Sequence, residues 1–230
     1  MDLFEQLELA VERKRLYGVY PAKVTAIADP DQQGRVKVQL PWSPDDDGGS
    51  YEAWARLAVL MAGSSRGTWF IPDVGDEVLL MFEAGDPRRP YVVGALWNGQ
   101  DAPPETMDSG EDNNLKSIVS RRGIRITLDD TNGQETLTLR TPKQTIVLKD
   151  GDPAVELRDG SGNTVKMTSA GITVTAASKV KVQAAQVEIS AGQVTVNAGM
   201  SKFSGVVQAD TVITNAIISA SYSPGAGNIW

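Results

Sequence analysis

The chain has 230 residues and contains neither cysteine nor histidine. Their absence excludes disulfides, thiol nucleophiles, Ser/His/Asp triads and the Cys/His sites that hold most structural zinc. Hydrophobic residues make up 41% of the chain and aromatic residues only 6%, with 22 Gly and 12 Pro. This composition is typical of short strands joined by turns and predicts a mainly β protein.

The formal net charge of −7, from 22 Lys and Arg against 29 Asp and Glu, is unevenly distributed. Residues 1–114 carry 10 basic and 20 acidic side chains, or −10, whereas residues 115–230 carry 12 basic and 9 acidic ones, or +3. An acidic first half argues against binding a nucleic-acid backbone, and the second half is too weakly basic to reverse that expectation.

Residues 1–17 place Leu3, Leu7, Ala10 and Val11 at helical spacing, with charged residues largely on the other face. This pattern predicts a short amphipathic helix. Charges occur throughout the segment, which does not fit a signal peptide, and no apolar run in the chain approaches the roughly 20 residues that span a bilayer. We therefore expect synthesis in the cytoplasm without a signal peptide.

Residues 18–104 form a pattern of short strands separated by turn signals. The predicted strands are residues 19–27, 35–40, 53–59, 77–82 and 91–96. Five short strands in this length predict a small barrel domain, either the five-stranded Greek-key OB-fold or an SH3-like barrel. We expect the tryptophans of this region to fill the barrel core and subunit contacts: Trp42, Trp54, Trp69 and Trp97.

Residues 105–116 belong to a segment rich in proline and acidic residues and predict a linker. From 117 to 230, apolar pairs recur at alternate positions, and each pair predicts a short strand with one buried face. The pairs are Ile124/Ile126, Leu137/Leu139, Ile146/Leu148, Val155/Leu157, Val165/Met167, Ile172/Val174, Val180/Val182, Val187/Ile189 and Val194/Val196. From Leu137 onward the pairs are spaced by 9, 9, 10, 7, 8, 7 and 7 residues, so the structure should taper toward its C-terminal end.

A repeat of seven to ten residues with one strand each is typical of a β-helix, because strands this short must stack to be stable. Two architectures satisfy the pattern. A single chain could wind three strands per coil into a solenoid, or three chains could wrap about one axis so that each strand pairs with strands of its neighbours. The trimer leaves no unpaired strand edge along the shaft.

Four segments in the first half of the chain, taken in order, resemble a known family. They are VTAIADPDQQGRVKV at 24–38 followed by Pro41-Trp42, then WFIPDVGDEV at 69–78, DPRRPYVVG at 86–94 and LWNG at 96–99. This series is similar to the OB-fold module of central spike proteins of contractile injection systems, the phage baseplate spike protein V and VgrG-like family. The β-repeat that follows extends the resemblance to nearly the whole chain.

The resemblance implies an all-β homotrimer in which an OB-fold barrel precedes an intertwined triple-stranded β-helix. It also implies a structural function, that of capping the inner tube and puncturing the target cell envelope on sheath contraction. Such a spike meets baseplate hub and inner tube proteins at its N-terminal end and is assembled into a phage tail or tail-like particle. The predicted trimer shaft core consists of Val155, Leu157, Val165, Val180, Val182, Val187, Ile189, Val194 and Val196.

No residue pattern predicts a catalytic site, a cofactor or a metal site. The run 45–47 of three aspartates lacks the ligand spacing of a cation loop, and the Asp-Gly turns near residues 150 and 160 do not repeat a calcium-binding consensus. Two other functions stay open. A trimeric receptor-binding fibre or adhesin would need a head larger than the dozen residues after Ile218, and a β-helical polysaccharide-cleaving enzyme would need longer repeats around a cleft.

Asp210 is the last charged residue of the sequence, so residues 211–230 contain no charged side chain. Tyr222, Ile229 and Trp230 would then cluster near the axis of a trimer, and exposed apolar clusters usually mark protein contacts. In the resembling family a PAAR-type tip protein caps this end, so these three residues are the predicted tip-protein docking site. The alternative is that their side chains fold back and plug the shaft.

Overall fold

The computed structural model describes residues 15–44, 50–151 and 153–221. Most of the predicted N-terminal helix therefore lies outside the described residues. Within them the secondary structure is β, apart from a single 3-10 turn at Glu83–Gly85, and no helix is long and apolar enough to cross a membrane. The chain divides into two compact units, which meet in sequence between Lys179 and Val180.

The first domain is a closed five-stranded barrel. Its strands are β1 (Tyr20–Ala26), β2 (Val36–Pro44), β3 (Ser50–Leu57), β6 (Glu77–Phe82) and β7 (Pro90–Leu96), hydrogen-bonded in the order β1-β2-β3-β7-β6. Two short strands, β4 (Ala62–Gly63) and β5 (Arg66–Gly67), form a hairpin between β3 and β6. All barrel pairs are antiparallel except β3 with β7, and β6 closes on β1, so the prediction of an OB-fold is confirmed over the SH3-like alternative.

Aliphatic side chains fill the barrel because they alternate along each strand and so point to one face. The largest fully buried side chains are Val24, Val36, Val38, Leu40, Val78 and Leu80, and the Phe82 ring packs edge-on to Tyr20 and Tyr51. The Tyr51 hydroxyl donates a hydrogen bond to the Pro87 carbonyl, and burial raises the pKa of Tyr51 to about 12. No polar or charged residue is buried within the described part of this core.

The turn between β1 and β2 is organised by one carboxylate. Asp29 accepts hydrogen bonds from the backbone N–H groups of Asp31, Gln33 and Arg35 and from the Arg35 guanidinium at 2.6 Å, while its side chain is only 4% exposed. The guanidinium of Arg35, above all, holds the pKa of Asp29 well below its usual range. Gly34 adopts φ +72° beside this pair, and a Cβ there would meet the Trp69 ring at 3.2 Å.

The second domain is a seven-stranded antiparallel sheet in which each strand pairs with the next. Its strands are β8 (Leu115–Val119), β9 (Arg125–Asp129), β10 (Thr136–Arg140), β11 (Thr145–Lys149), β12 (Val155–Arg158), β13 (Thr164–Thr168) and β14 (Gly171–Thr175). A single-chain solenoid would instead bring together strands one coil apart. The meander therefore excludes the solenoid alternative for residues 115–175. Each inner strand there also has both of its hydrogen-bonded neighbours in its own chain, so the predicted pairing with strands of other chains does not occur in this part of the chain.

Candidate trimer interface

One face of the seven-stranded sheet is almost entirely apolar. The strand register aligns two rows of side chains across it. The first row is Ile118, Ile126, Leu139, Ile146, Leu157, Val165 and Val174, and the second is Lys116, Leu128, Leu137, Leu148, Val155, Met167 and Ile172. Seven strands thus contribute about two apolar side chains each, as the alternating pairs predicted.

This apolar face is open to solvent in the single chain. Its side chains are between 37% exposed, at Leu137, and 68% exposed, at Ile172, apart from Val155 and Val165, which are half-buried. The central row of the opposite face, from Ser117 and Thr127 to Glu156 and Lys166, is mostly half-buried. A sheet that exposes its apolar face more than its polar face buries too little apolar surface by itself, so another protein surface must cover that face.

Lys116 is the one charged residue in the apolar rows. Its ammonium group donates hydrogen bonds to the Asn113 carbonyl and to Asp130, both at 2.7 Å, at the first strand of the sheet. The charge is therefore held at the end of the apolar face, where strand β8 borders the linker. The rows continue without a charge from β9 to β14.

The distal segment, residues 180–221, contains no strand and no backbone–backbone hydrogen bond among its described residues. Its aliphatic side chains are highly exposed, from 59% at Val194 to 72% at Ile189 within the predicted pairs. On the other side of the backbone, the Gln193 amide donates to the Thr195 hydroxyl at 3.2 Å. The segment has the alternation of a strand but no strand partner among the described residues of its own chain.

Bends in the distal segment recur at shortening intervals. The chain bends at residues 185, 192, 199, 204–205, 210, 215 and 220, so the spacing falls from seven residues to five. The apolar residues change with it, from alternate pairs such as Val194 and Val196 to adjacent pairs such as Ile217 and Ile218. The alternating pattern does not predict these later pairs, and the sequence signal for them is the doublets at 206–207, 212–213 and 217–218.

The predicted site residues fall into three groups. Val155, Leu157 and Val165 lie together on the apolar face, where Leu157 is directly opposite Val165. Val180, Val182, Val187, Ile189, Val194 and Val196 lie in the distal segment, each exposed. Tyr222, Ile229 and Trp230 lie outside the described residues.

Trp54, Trp69 and Trp97 do not fill the barrel core, so that part of the prediction is wrong for these three residues. Trp69 and Trp97 are 76% and 69% exposed, and Trp54 is half-buried at the surface with the Arg35 guanidinium 5.8 Å from its ring centre. The small interior is already filled by valines, leucines and Phe82, which leaves no room for indoles. The side chain of Trp42 lies outside the described residues. Trp69 lies instead on the β3–β6 connection, where Leu60, Met61 and Phe70 are also exposed.

The titratable groups of the described residues serve turns and surface ion pairs. Asp86 has its pKa lowered to about 2, mainly by the Arg88 side chain beside it, and the Glu83 pKa is lowered by hydrogen bonds from Tyr91 and Arg89. No group of three or more carboxylates that could hold a metal ion occurs in this part of the chain.

Two family models match the chain in the same order as its two domains. The type VI secretion system/phage-baseplate injector OB domain matches residues 20–97, and the phage baseplate V C-terminal trimerisation domain matches residues 136–201. Together they cover more than half of the chain. The chain belongs to the baseplate and VgrG spike family. The second match includes five strands of the sheet and the first half of the distal segment, so the family's trimerisation domain coincides with the uncovered apolar surfaces.

Several curated spike proteins are similar to this family member. The type VI secretion system spike protein VgrG1a of Pseudomonas aeruginosa is 31% identical over 134 residues, which is 55% of this chain and 21% of the relative. VgrG5 of the same organism is 34% identical over 54% of this chain and 17% of its own length. The actin cross-linking toxin VgrG1 of Vibrio cholerae is 27% identical over 60% of this chain and 13% of its own length. The chain therefore spans no more than about a fifth of these relatives.

Proposed function

We propose that three copies of this chain form the central spike of a contractile tail or injection machine, which caps the inner tube and punctures the target envelope. The observation that carries the proposal is the uncovered apolar surface of the trimerisation domain. The sheet buries too little by itself, and the distal segment has no strand partner within the part of its own chain that the structure describes. Two further copies would supply both the covering surface and the missing hydrogen bonds.

In this proposal the chain has an N-terminal helix at 1–17, a barrel domain at 18–104, a linker at 105–116 and a shaft and tip at 117–230. Residues 115–175 form the wall of the shaft, with one sheet from each chain, and the intertwined β-helix begins in the distal segment. The shortening interval between bends supports a narrowing shaft, because fewer residues pass from one corner to the next. The predicted shaft core residues line the axis.

A spike of this kind works by rigidity, and the energy for puncture comes from sheath contraction. Backbone hydrogen bonds between chains and a wound topology give a high barrier to unfolding. The function thus requires no catalytic residue, and we assign no enzyme activity, cofactor or nucleic-acid partner to the chain. The exposed surface of Leu60, Met61, Trp69 and Phe70 supports contacts of the barrels with each other and with hub and tube proteins.

The function is tested by complementation in cells that carry the injection machine. Deletion of the gene should abolish delivery to target cells, and the wild-type chain should restore it. Val194→Asp should fail to restore delivery, because a carboxylate from each chain would lie at the shaft axis, whereas Gln193→Asp on the other side of the backbone should restore it. Delivery by a Val194→Asp chain that is monomeric in solution would refute the proposal.

We also propose that Tyr222, Ile229 and Trp230 dock a PAAR-type tip protein at the narrow end of the shaft. Removing residues 228–230 should leave a trimer with unchanged thermal stability that no longer retains the tip protein in a pull-down. The matched control is removal of the side chains of Ser221 and Ser223, which should retain it. Loss of thermal stability together with retained tip binding would instead indicate that these residues plug the shaft.

A further inference from the structure

The seven-stranded sheet carries opposite charges on its two lateral edges. In a meander the hairpin turns alternate between edges, so residues far apart in sequence share an edge. The turns at 120–124, 141–144 and 159–163 lie on one edge, and those at 130–135, 150–154 and 169–170 lie on the other. Gly160 confirms the grouping, since a Cβ there would lie 3.3 Å from the Lys143 carbonyl.

The first of these is a basic edge. Its turns and the adjoining strand ends carry Arg121, Arg122, Arg125, Arg140, Lys143 and Arg158. The one acidic residue there, Asp159, accepts hydrogen bonds from Ser161 and Asn163 within its own turn. Arg121 pairs with Asp73 of the barrel at 3.0 Å, Arg125 with Glu105 at 2.7 Å, and Arg158 with Glu156 at 3.4 Å. Arg122, Arg140 and Lys143 have no ion-pair partner in the described residues.

The second is an acidic edge. It carries Asp129, Asp130, Glu135 and Asp150, with Lys149 as the basic residue at a strand end. Asp130 pairs with Lys116, and Glu135 accepts a hydrogen bond from the Gly133 N–H at 3.1 Å. Among the described residues neither Glu135 nor Asp150 pairs with a cation. Lys149 also has no ion-pair partner among the described residues, so the acidic edge has two unpaired carboxylates against one unpaired ammonium group, whereas the unpaired charges of the basic edge are all positive.

The two edges are matched in height as well as in charge. Along the stack of strands, the turn at 141–144 follows β10, whereas the turns at 130–135 and 150–154 follow β9 and β11. Successive strands are about 4.8 Å apart, so the basic turn stands midway between two acidic turns when neighbouring sheets lie at equal height. Threefold rotation about an axis along the stack keeps the heights equal.

We propose that the occupant of each edge is the opposite edge of a second copy of this chain, so that Arg140 and Lys143 of one chain insert between the Glu135 and Asp150 turns of the next. Head-to-tail contact of this kind closes into a ring, and the apolar faces then point inward. A twofold axis perpendicular to the stack would run two chains in opposite directions and place like charges together. The charges thus select chains that run in the same direction around an axis along the stack, and they fix the register, in addition to the hydrophobic covering of the proposed trimer on which this inference rests.

Cross-linking tests the pairing directly, because the chain has no cysteine of its own. A Lys143→Cys/Asp150→Cys variant carries one thiol on each edge, and five-residue strands separate the edges by about 17 Å, too far for a bridge within one chain. Oxidation, or a bismaleimide shorter than that width, should yield a covalent trimer on denaturing gels. The matched control, Arg122→Cys/Lys143→Cys, carries both thiols on the basic edge and should not.

Charge exchange provides a second measurement that does not depend on cross-linking distance. Arg140→Glu/Lys143→Glu should speed subunit dissociation about tenfold or more, an effect reduced by salt, and Glu135→Lys/Asp150→Lys should do the same. Combining all four substitutions restores complementary edges and should return dissociation close to the wild-type rate. Lys23→Glu/Arg88→Glu, an equal charge change in the barrel away from the β3–β6 connection, should have little effect.

The possible results are distinguishable. A wild-type chain that is monomeric at micromolar concentration would overturn the proposed function and the edge pairing together. A wild-type trimer whose two-edge cysteine variant cross-links no better than the same-edge control would overturn the pairing alone. A covalent trimer formed by the same-edge control would likewise overturn the pairing. So would a fourfold charge variant whose dissociation rate does not return toward that of the wild type.

Discussion

Replacing Val194 by aspartate should prevent trimer formation, and the structure sets the size of the effect. Val194 is 59% exposed in the single chain. Full burial of a valine side chain contributes about 1.5–3 kcal/mol, so covering this exposed fraction contributes about 1–2 kcal/mol per chain and about 3–5 kcal/mol per trimer. Substitution loses that amount and adds the cost of bringing three carboxylates together in an apolar shaft, several kcal/mol each.

The matched control is Gln193→Asp, which adds the same charge one residue away. Gln193 and Thr195 lie on the opposite side of the backbone from Val194, as their hydrogen bond indicates. Native mass measured by light scattering at micromolar concentration should give a trimer for the wild type and for Gln193→Asp, and smaller species for Val194→Asp. Resistance to SDS at room temperature should follow the same order. Equal behaviour of the two variants would refute the inward orientation of Val194.

Two further predictions concern the barrel. Leu80→Ala should lower the free energy of unfolding, measured by urea denaturation, by about 2–5 kcal/mol, because Leu80 is fully buried. Met81→Ala, at a side chain 45% exposed, should lower it far less. Equal losses would mean that the barrel interior is assigned incorrectly. Asp29→Asn should lower the melting temperature at pH 7, since the depressed pKa of Asp29 adds stability above about pH 4 that is lost as the pH falls further. The difference in melting temperature between the wild type and Asp29→Asn should therefore narrow below pH 4. Asp31→Asn, at a side chain 59% exposed, is the control. A melting-temperature difference that stays constant with pH would contradict the role of the Asp29 charge.

Alternation of apolar residues was sufficient to predict most strands but not their ends. The pair Ile124/Ile126 predicted the right region, yet strand β9 begins at Arg125 and its apolar pair is Ile126 and Leu128, because Ile124 lies at the end of the hairpin turn. Strand β8 was missed because Lys116 occupies one of its two positions on the apolar face. The local sequence does not indicate that a lysine can occupy this apolar position, because its ion-pair partner Asp130 lies on the next strand connection.

The site itself was only partly predictable. Which residues share the apolar face followed from period two, but the charges of the two sheet edges depend on pairing each strand with the next, a property of the folded chain. The tryptophans were misplaced for a related reason. Composition gives the number of large side chains, whereas the space available is set by the diameter of the closed barrel.

The uncovered distal segment also exposes each newly made chain to aggregation before three copies assemble. Newly made chains present a row of valines and isoleucines with unpaired backbone groups, which is the kind of surface that initiates aggregation. Lys179, Lys181, Glu188, Lys202 and Asp210 interrupt this row at intervals, and charges so placed hinder wrong pairing between chains. The ribosome makes the barrel and the sheet before the distal segment. Three chains can therefore associate through these folded domains before the aggregation-prone distal segment is complete.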